Sequence, residues 1–177
     1  VIGPGRDDVA AEAKACCPAA EIFVQADRRG TAHAVLCASE AISRGYDDII
    51  VAFADTPLVS AQTFSRLRGC SPNGAAVAVL GFETANPEGY GRFIMNGDQL
   101  EAIREHKDAT PDEQKISLCN AGMMALAGAH ALQLLKSIGN SNSQNEFYLT
   151  DAIVAARLAG LKTSAVMAPE TEVMGVN

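Results

Sequence analysis

The run Asp48-Ile49-Ile50-Val51-Ala52-Phe53-Ala54-Asp55-Thr56-Pro57-Leu58 constrains this chain more than any other segment. An apolar stretch stops at a carboxylate, and Pro57 two residues later has no N–H to give to a strand ladder. Continuous apolar runs of this length belong to strands buried on both faces in α/β proteins. Ligands of such proteins bind beyond the carboxyl ends of the strands. Asp55 therefore stands where an open α/β sheet performs its chemistry, with oxygens suited to a hard cation such as Mg2+. The plainer alternative is that Asp55 caps the turn into a helix beginning near Ser60.

Helical and strand patterns alternate on either side of that run. Asp7 to Cys16 is Ala-rich and helical, and Pro18 stops it. Glu21 to Gln25 reads as a short strand, Thr31 to Arg44 as a helix between Gly30 and Gly45, and Ser60 to Arg68 as a further helix. Ala75 to Leu80 is another apolar strand. This order predicts an α/β fold with a doubly wound, mostly parallel sheet and right-handed crossovers. The second half reads as a hairpin about Asn96-Gly97-Asp98, a long strand over Ser117 to Leu126 and helices near 129–138 and 150–159. A last strand falls over Ser164 to Met167. With no internal repeat and no linker, residues 1–177 are expected to form a single domain.

The totals exclude several classes. A net charge of −7 leaves no basic face for nucleic acid or a membrane surface, although a few cations and backbone N–H groups can still hold a phosphate. No apolar run approaches the roughly 20 residues of a membrane span. The five cysteines, Cys16, Cys17, Cys37, Cys70 and Cys119, lack metal or redox spacing. They are expected to be free thiols in a reducing, cytoplasmic setting, with Cys16 and Cys17 packed as small apolar side chains. Val1-Ile2-Gly3 reads as the tail of a strand already under way, so the chain is expected to be cut from something longer.

Several polar groups interrupt the apolar pattern. Gln25 and Gly30-Thr31 follow a strand and open a helix, where Gly30 admits a close neighbour and the Gln25 amide can read a nucleobase edge. An ordinary strand-to-helix turn is the simpler reading. Gly89-Tyr90-Gly91-Arg92 reads as a tight turn beside a ligand or a structural turn. At the end of the hairpin, Glu105 can accept from sugar hydroxyls and Lys107 can stabilise a phosphate, unless this is a solvated charged loop. Asn120-Ala121-Gly122 breaks a strand, and a buried Asn needs a partner. Tyr148, Thr150 and Asp151 mark a helix start, where Thr150 or Asp151 can serve simply as the cap.

In order, these segments resemble the N-terminal uridylyltransferase domain of the bacterial bifunctional N-acetylglucosamine-1-phosphate uridyltransferase / glucosamine-1-phosphate acetyltransferase family. Seven markers carry the likeness: Gln25 with Gly30-Thr31, Asp55 before Pro57-Leu58, Gly89 to Arg92, Glu105 to Ala109, Asn120 to Gly122, Tyr148 to Asp151, and Gly175-Val176-Asn177. The resemblance implies a Rossmann-like fold of the nucleotide-diphospho-sugar transferase type with a small β-hairpin insertion. It implies that Gln25, Gly30 and Thr31 hold the uracil of UTP, and that Asp55 and Asn177 coordinate Mg2+. Gly91, Glu105, Asn120, Tyr148 and Thr150 would hold N-acetylglucosamine 1-phosphate. The implied products are pyrophosphate and UDP-N-acetylglucosamine, for cell-wall and lipopolysaccharide precursors.

The departures from that family are specific. No L-x-A-G-x-G-T-R-M loop is present, so the first strand and the phosphate-cradling Gly-rich loop are missing, and this segment alone is expected to be nearly inactive. Phe53, Ala54 and Ala121 replace a usual Tyr, Gly and Thr. The β-helix acetyltransferase domain that makes the family a homotrimer is also absent from the chain. A non-catalytic sugar-nucleotide binding module, or a nucleotidyltransferase for another sugar phosphate, remain the alternatives.

Overall fold

A computed structural model of the chain describes residues 1–69, 73–97 and 99–176. The elements in chain order are α1 (Asp7–Cys16), α2 (Thr31–Leu36), α3 (Ser39–Ile42), β1 (Asp48–Val51), α4 (Ala61–Arg68), β2 (Ala75–Glu83) and β3 (Arg92–Asn96). They continue as β4 (Gln99–Arg104), β5 (Leu118–Ala127), α5 (Gly128–Ser137), α6 (Ala152–Leu158), β6 (Lys162–Met167) and α7 (Glu170–Val173), with short 3-10 turns at His106–Asp108, Glu113–Lys115 and Leu149–Asp151. The sheet runs β4-β3-β5-β2-β6, and β1 pairs with β5 beside β3.

Side-chain alternation on β2 and β5 divides the core in two. Val77, Val79, Met124 and Leu126 face a layer that includes Leu134, Leu135 and Ile153 of α5 and α6. Ala78, Leu80, Phe82 and Ala125 face the opposite layer, which includes Leu67 of α4 and Val173 of α7. Helices thus cover both faces, as the α/β reading expects.

The sheet is mixed rather than mostly parallel. Of the strand pairings, β2 with β6 is parallel, whereas β1–β5, β2–β5, β3–β4 and β3–β5 are antiparallel. An apolar run reports that a strand is buried and not which way it points, so β5 could not be oriented from its sequence. The strand expected over Glu21 to Gln25 is a single parallel bridge between Ile2 and Val24. The helix expected over Thr31 to Arg44 breaks at Cys37 and Ala38. There Cys37 N bonds to both His33 and Ala34 carbonyls and its thiol also donates to His33 O. Cys16 and Cys17 are exposed, not packed, because α1 buries none of its residues. Cys70 lies outside the described residues. Among the described residues no helix is long and apolar enough to cross a membrane.

Candidate functional site

Three chain reversals and a bulge meet at one cavity of about 390 Å³. The first reversal follows β1. Thr56 turns the chain back by donating from both its N–H and its hydroxyl to Phe53 O, at 3.4 and 3.1 Å. Asp55 sits on this turn, exposed and lining the cavity. Its carboxylate makes no hydrogen bond among the described residues, and α4 is capped instead by Ser60, whose hydroxyl accepts from Thr63 N at 3.2 Å. The capping alternative for Asp55 is therefore not what the structure uses.

The second reversal precedes β3. Gly89 has φ of +84°, and the Tyr90 ring meets Phe82 edge-on with centroids 4.9 Å apart. A Cβ on Gly91 would come to 3.0 Å from Ile103 Cγ2, a tight contact, and to 3.5 Å from Glu105 Oε2, an ordinary one, so these walls stand close together. Gly91 O accepts from Asn120 N at 2.8 Å.

β5 supplies the bulge. Val79 pairs with Met124 and Gly81 with Asn120, so three residues of β5 oppose one of β2. Gly122 takes φ of +85°, and a Cβ there would lie 2.7 Å from the Phe53 ring. Asn120 Oδ1 accepts from Gly122 N at 3.0 Å, so the interruption seen in sequence is a side-chain-closed turn.

The 3-10 turn Leu149–Asp151 closes the far side. Thr150 is buried and its hydroxyl donates to Glu105 Oε1 at 2.9 Å. Thr31 Oγ1 accepts from Leu149 N at 2.9 Å, tying the start of α2 to the same turn. Thr150 therefore bonds Glu105 rather than capping a helix. Burial pushes the Glu105 carboxyl above the ordinary carboxylate range; the Thr150 hydrogen bond opposes this, and the Asp151 and Asp108 charges add to it. Asp151 is also raised by burial, against the Arg104 charge.

Of the residues singled out in sequence, Thr31, Asp55, Gly91, Glu105, Asn120 and Thr150 line this cavity together. Gln25, Gly30, Lys107 and Tyr148 do not. The Gln25 amide nitrogen donates to Gly30 O at 3.0 Å and lies 3.0 Å from His33 Nδ1. Gly30 is held against the backbone of the segment before Tyr148, since a Cβ would meet Phe147 O at 2.5 Å. Lys107 is exposed and its ammonium donates to Gln144. Tyr148 is buried, and its hydroxyl accepts from Gln144 Nε2 at 2.9 Å. Asn177 lies outside the described residues, as does Asp98 of the hairpin turn. Residues that sequence reasoning did not assign to the site include Phe53, Tyr90, Gly122 and Gly175, all lining the cavity. The glycine pair around Tyr90 and the glycine inside β5 were the available signals.

No family model matches the chain. Over all 177 residues it is 56% identical to the bifunctional protein GlmU of Bradyrhizobium sp. strain ORS 278 and 57% identical to that of Bradyrhizobium diazoefficiens. The GlmU of Xanthobacter autotrophicus is 56% identical. The chain spans 39–40% of the length of these relatives. Among solved structures, the nucleoside-diphosphate-sugar pyrophosphorylase of Vibrio cholerae RC9 superposes with a TM-score of 0.66 at 14% identity, over 97% of this chain and 72% of that one. A Bacillus anthracis structure assigned as a glucose-1-phosphate thymidylyltransferase gives 0.69 at 17% identity, over 95% and 66%. At those identities the likeness is one of fold.

Proposed function

We propose, for a chain that belongs to the family of the bifunctional GlmU proteins, that residues 1–177 are one nucleotidyltransferase unit of such a protein. Its reaction is UTP with N-acetylglucosamine 1-phosphate, giving UDP-N-acetylglucosamine and pyrophosphate for envelope precursors. The observation that carries this reading is that an unengaged carboxylate, Asp55, shares one cavity with Gly91, Glu105, Asn120 and Thr150.

A phosphate oxygen of the sugar phosphate attacks the α-phosphorus of UTP. The new P–O bond forms as the bond to the leaving pyrophosphate breaks. Little covalent work falls to the protein, so positioning and charge neutralisation dominate. Glu105 is the acceptor for sugar hydroxyls, held in place by Thr150. Asn120 has its oxygen occupied by Gly122 N, which leaves its NH2 group to donate to the sugar. Gln25 has its amide nitrogen occupied by Gly30 and His33, which leaves its oxygen to accept from the uracil. Gly30 and Thr31 complete the base side. Tyr148 would complete the sugar side and Lys107 would stabilise a phosphate, and both bond Gln144.

Asp55 fits a cation ligand, because it lines the cavity on a turn and its exposed carboxylate makes no hydrogen bond among the described residues. Among the described residues no three His, Cys, Asp or Glu side chains converge. Mg2+ keeps several waters and needs only one or two protein oxygens, which Asp55 and Asn177 would provide. Such an ion supplies charge neutralisation between phosphates. We read the protein as cytoplasmic, acting on small molecules without nucleic acid or membrane, and its full-length form as a homotrimer held by an acetyltransferase domain.

Pyrophosphate release by the full-length protein tests the reading, with UTP compared against CTP, GTP and dTTP. Turnover with UTP and N-acetylglucosamine 1-phosphate is expected. Preference for another nucleotide or sugar phosphate would move the assignment within the transferases. Binding without turnover would make it a sugar-nucleotide binding module.

A further inference from the structure

Arg92 is 1% exposed and is the one charged side chain in the buried class among the described residues. It takes part in none of the ion pairs among those residues. Its Nε is buried without a hydrogen-bond partner. A buried cation lacking a carboxylate is costly, and a well-packed apolar residue is the cheaper occupant of such a position.

The guanidinium is spent on three separate segments. Nη1 donates to Tyr90 O, in the turn that carries Gly89 and Gly91. Nη2 donates to Gln114 O at 3.2 Å and lies 3.3 Å from Nδ1 of His106, the residue directly after Glu105. The guanidinium carries no acceptor, so a hydrogen bond between the two requires His106 Nδ1 to be the acceptor. One planar fork thereby links the Gly89–Gly91 turn to the loop that follows Glu105. Those two walls stand within contact distance of each other, since a Cβ on residue 91 would lie 3.5 Å from Glu105 Oε2. A lysine at 92 would keep the charge but not the fork.

We propose that Arg92 is a positioning residue that sets the gap between Gly91 and Glu105, and with it the fit of the sugar phosphate. The inference rests on the reading of this cavity as the sugar-phosphate site. Arg92 touches no substrate. It acts through the Tyr90 carbonyl and the His106 ring.

The test is titration calorimetry on the full-length protein with N-acetylglucosamine 1-phosphate and, separately, UTP, alongside thermal unfolding. Arg92→Met is expected to weaken sugar-phosphate binding by about tenfold or more while UTP affinity stays within about twofold, the loss of hydrogen bonds from a charged donor. Arg92→Lys is expected to recover only part of the loss, and it carries the test where Arg92→Met does not fold. Unchanged sugar-phosphate affinity in Arg92→Lys, with wild-type protein binding normally, overturns the proposal and leaves the functional reading intact. Equal losses for both ligands also overturn it, since they mark a merely structural residue. Wild-type protein that does not bind the sugar phosphate overturns both.

Discussion

The backbone N–H of Val176 donates to the carbonyl oxygen of Asp55 at 2.7 Å. This bond fastens the last described residue of the chain to the turn that presents the candidate metal ligand. Gly175 passes beside the same turn, and a Cβ there would stand 3.6 Å from Asp55 O. The position that follows Val176 is Asn177, the second ligand in the proposed pair.

Asp55→Asn in the full-length protein is expected to lower pyrophosphate release by about 100-fold or more, on the scale of removing a metal ligand. Stability should change by no more than about 0.5 kcal/mol, because the carboxylate is exposed and unpartnered. Activity within a few fold of wild type at saturating Mg2+ would end the metal assignment.

Glu172 anchors the same segment from the other side. Its Oε2 accepts from Thr63 Oγ1 at 2.7 Å and from Ser60 N at 3.1 Å. The Thr63 hydroxyl, then the Ser60 N–H, hold this carboxyl below the ordinary carboxylate range. The stability it contributes is present above that range and is lost as pH falls through the lowered value. Glu172→Gln is therefore expected to melt below wild type at neutral pH, and the gap should close in acid. Its activity should suffer more at limiting than at saturating Mg2+. A melting difference that persists unchanged in strong acid would contradict this.

Glu105 has the opposite sign. The folded protein holds its proton to higher pH than the unfolded chain does, so ionisation removes stability as pH rises from the ordinary value to the raised one. Glu105→Gln, measured at neutral pH, is expected to melt at or above the wild-type temperature. It should nonetheless lose about tenfold or more in catalytic efficiency with the sugar phosphate. A clear fall in melting temperature would show that the carboxylate is structural.

Gly30 combines φ of +110° with a Cβ direction that ends on the Phe147 backbone. Gly30→Ala is expected to cost about 2–4 kcal/mol in denaturant unfolding. A loss under about 1 kcal/mol would mean that the segment before Tyr148 moves aside freely.

The apolar runs at 49–53 and 75–80 located β1 and β2, because strand burial leaves a direct mark on sequence. The hairpin around Gly97 was equally plain, and Asn96 pairs with Gln99 across it. The direction of β5 was not, since a buried strand reads alike in either orientation. Asn120-Ala121-Gly122 announced an interruption, but only the register of β2 shows it to be a bulge. Arg92 was visible as part of Gly-Tyr-Gly-Arg, yet a charge beside a turn normally faces water. Its burial depends on acceptors at positions 90, 106 and 114, which no local pattern brings together. Asp55, Glu105, Asn120 and Thr150 were legible as polar groups breaking an apolar pattern or closing an element. Those that act through a distant carbonyl were not.

β5 carries β2 along one edge and shares its other edge between β1 and β3. Its first half holds Asn120 and Gly122, and its second half holds Met124 and Leu126 in the core. The strand is thus a ruler read from both sides, and it has no spare length. A deletion of one residue between Asn120 and Met124 would leave two residues opposite one where three stand now, and force a choice. Either both flanking pairs are kept and the Asn120–Gly122 turn is lost, or the strand slips by one residue and every core side chain turns over. Length variation among functional relatives should therefore be tolerated in the polar loop at 139–146 and absent from this strand.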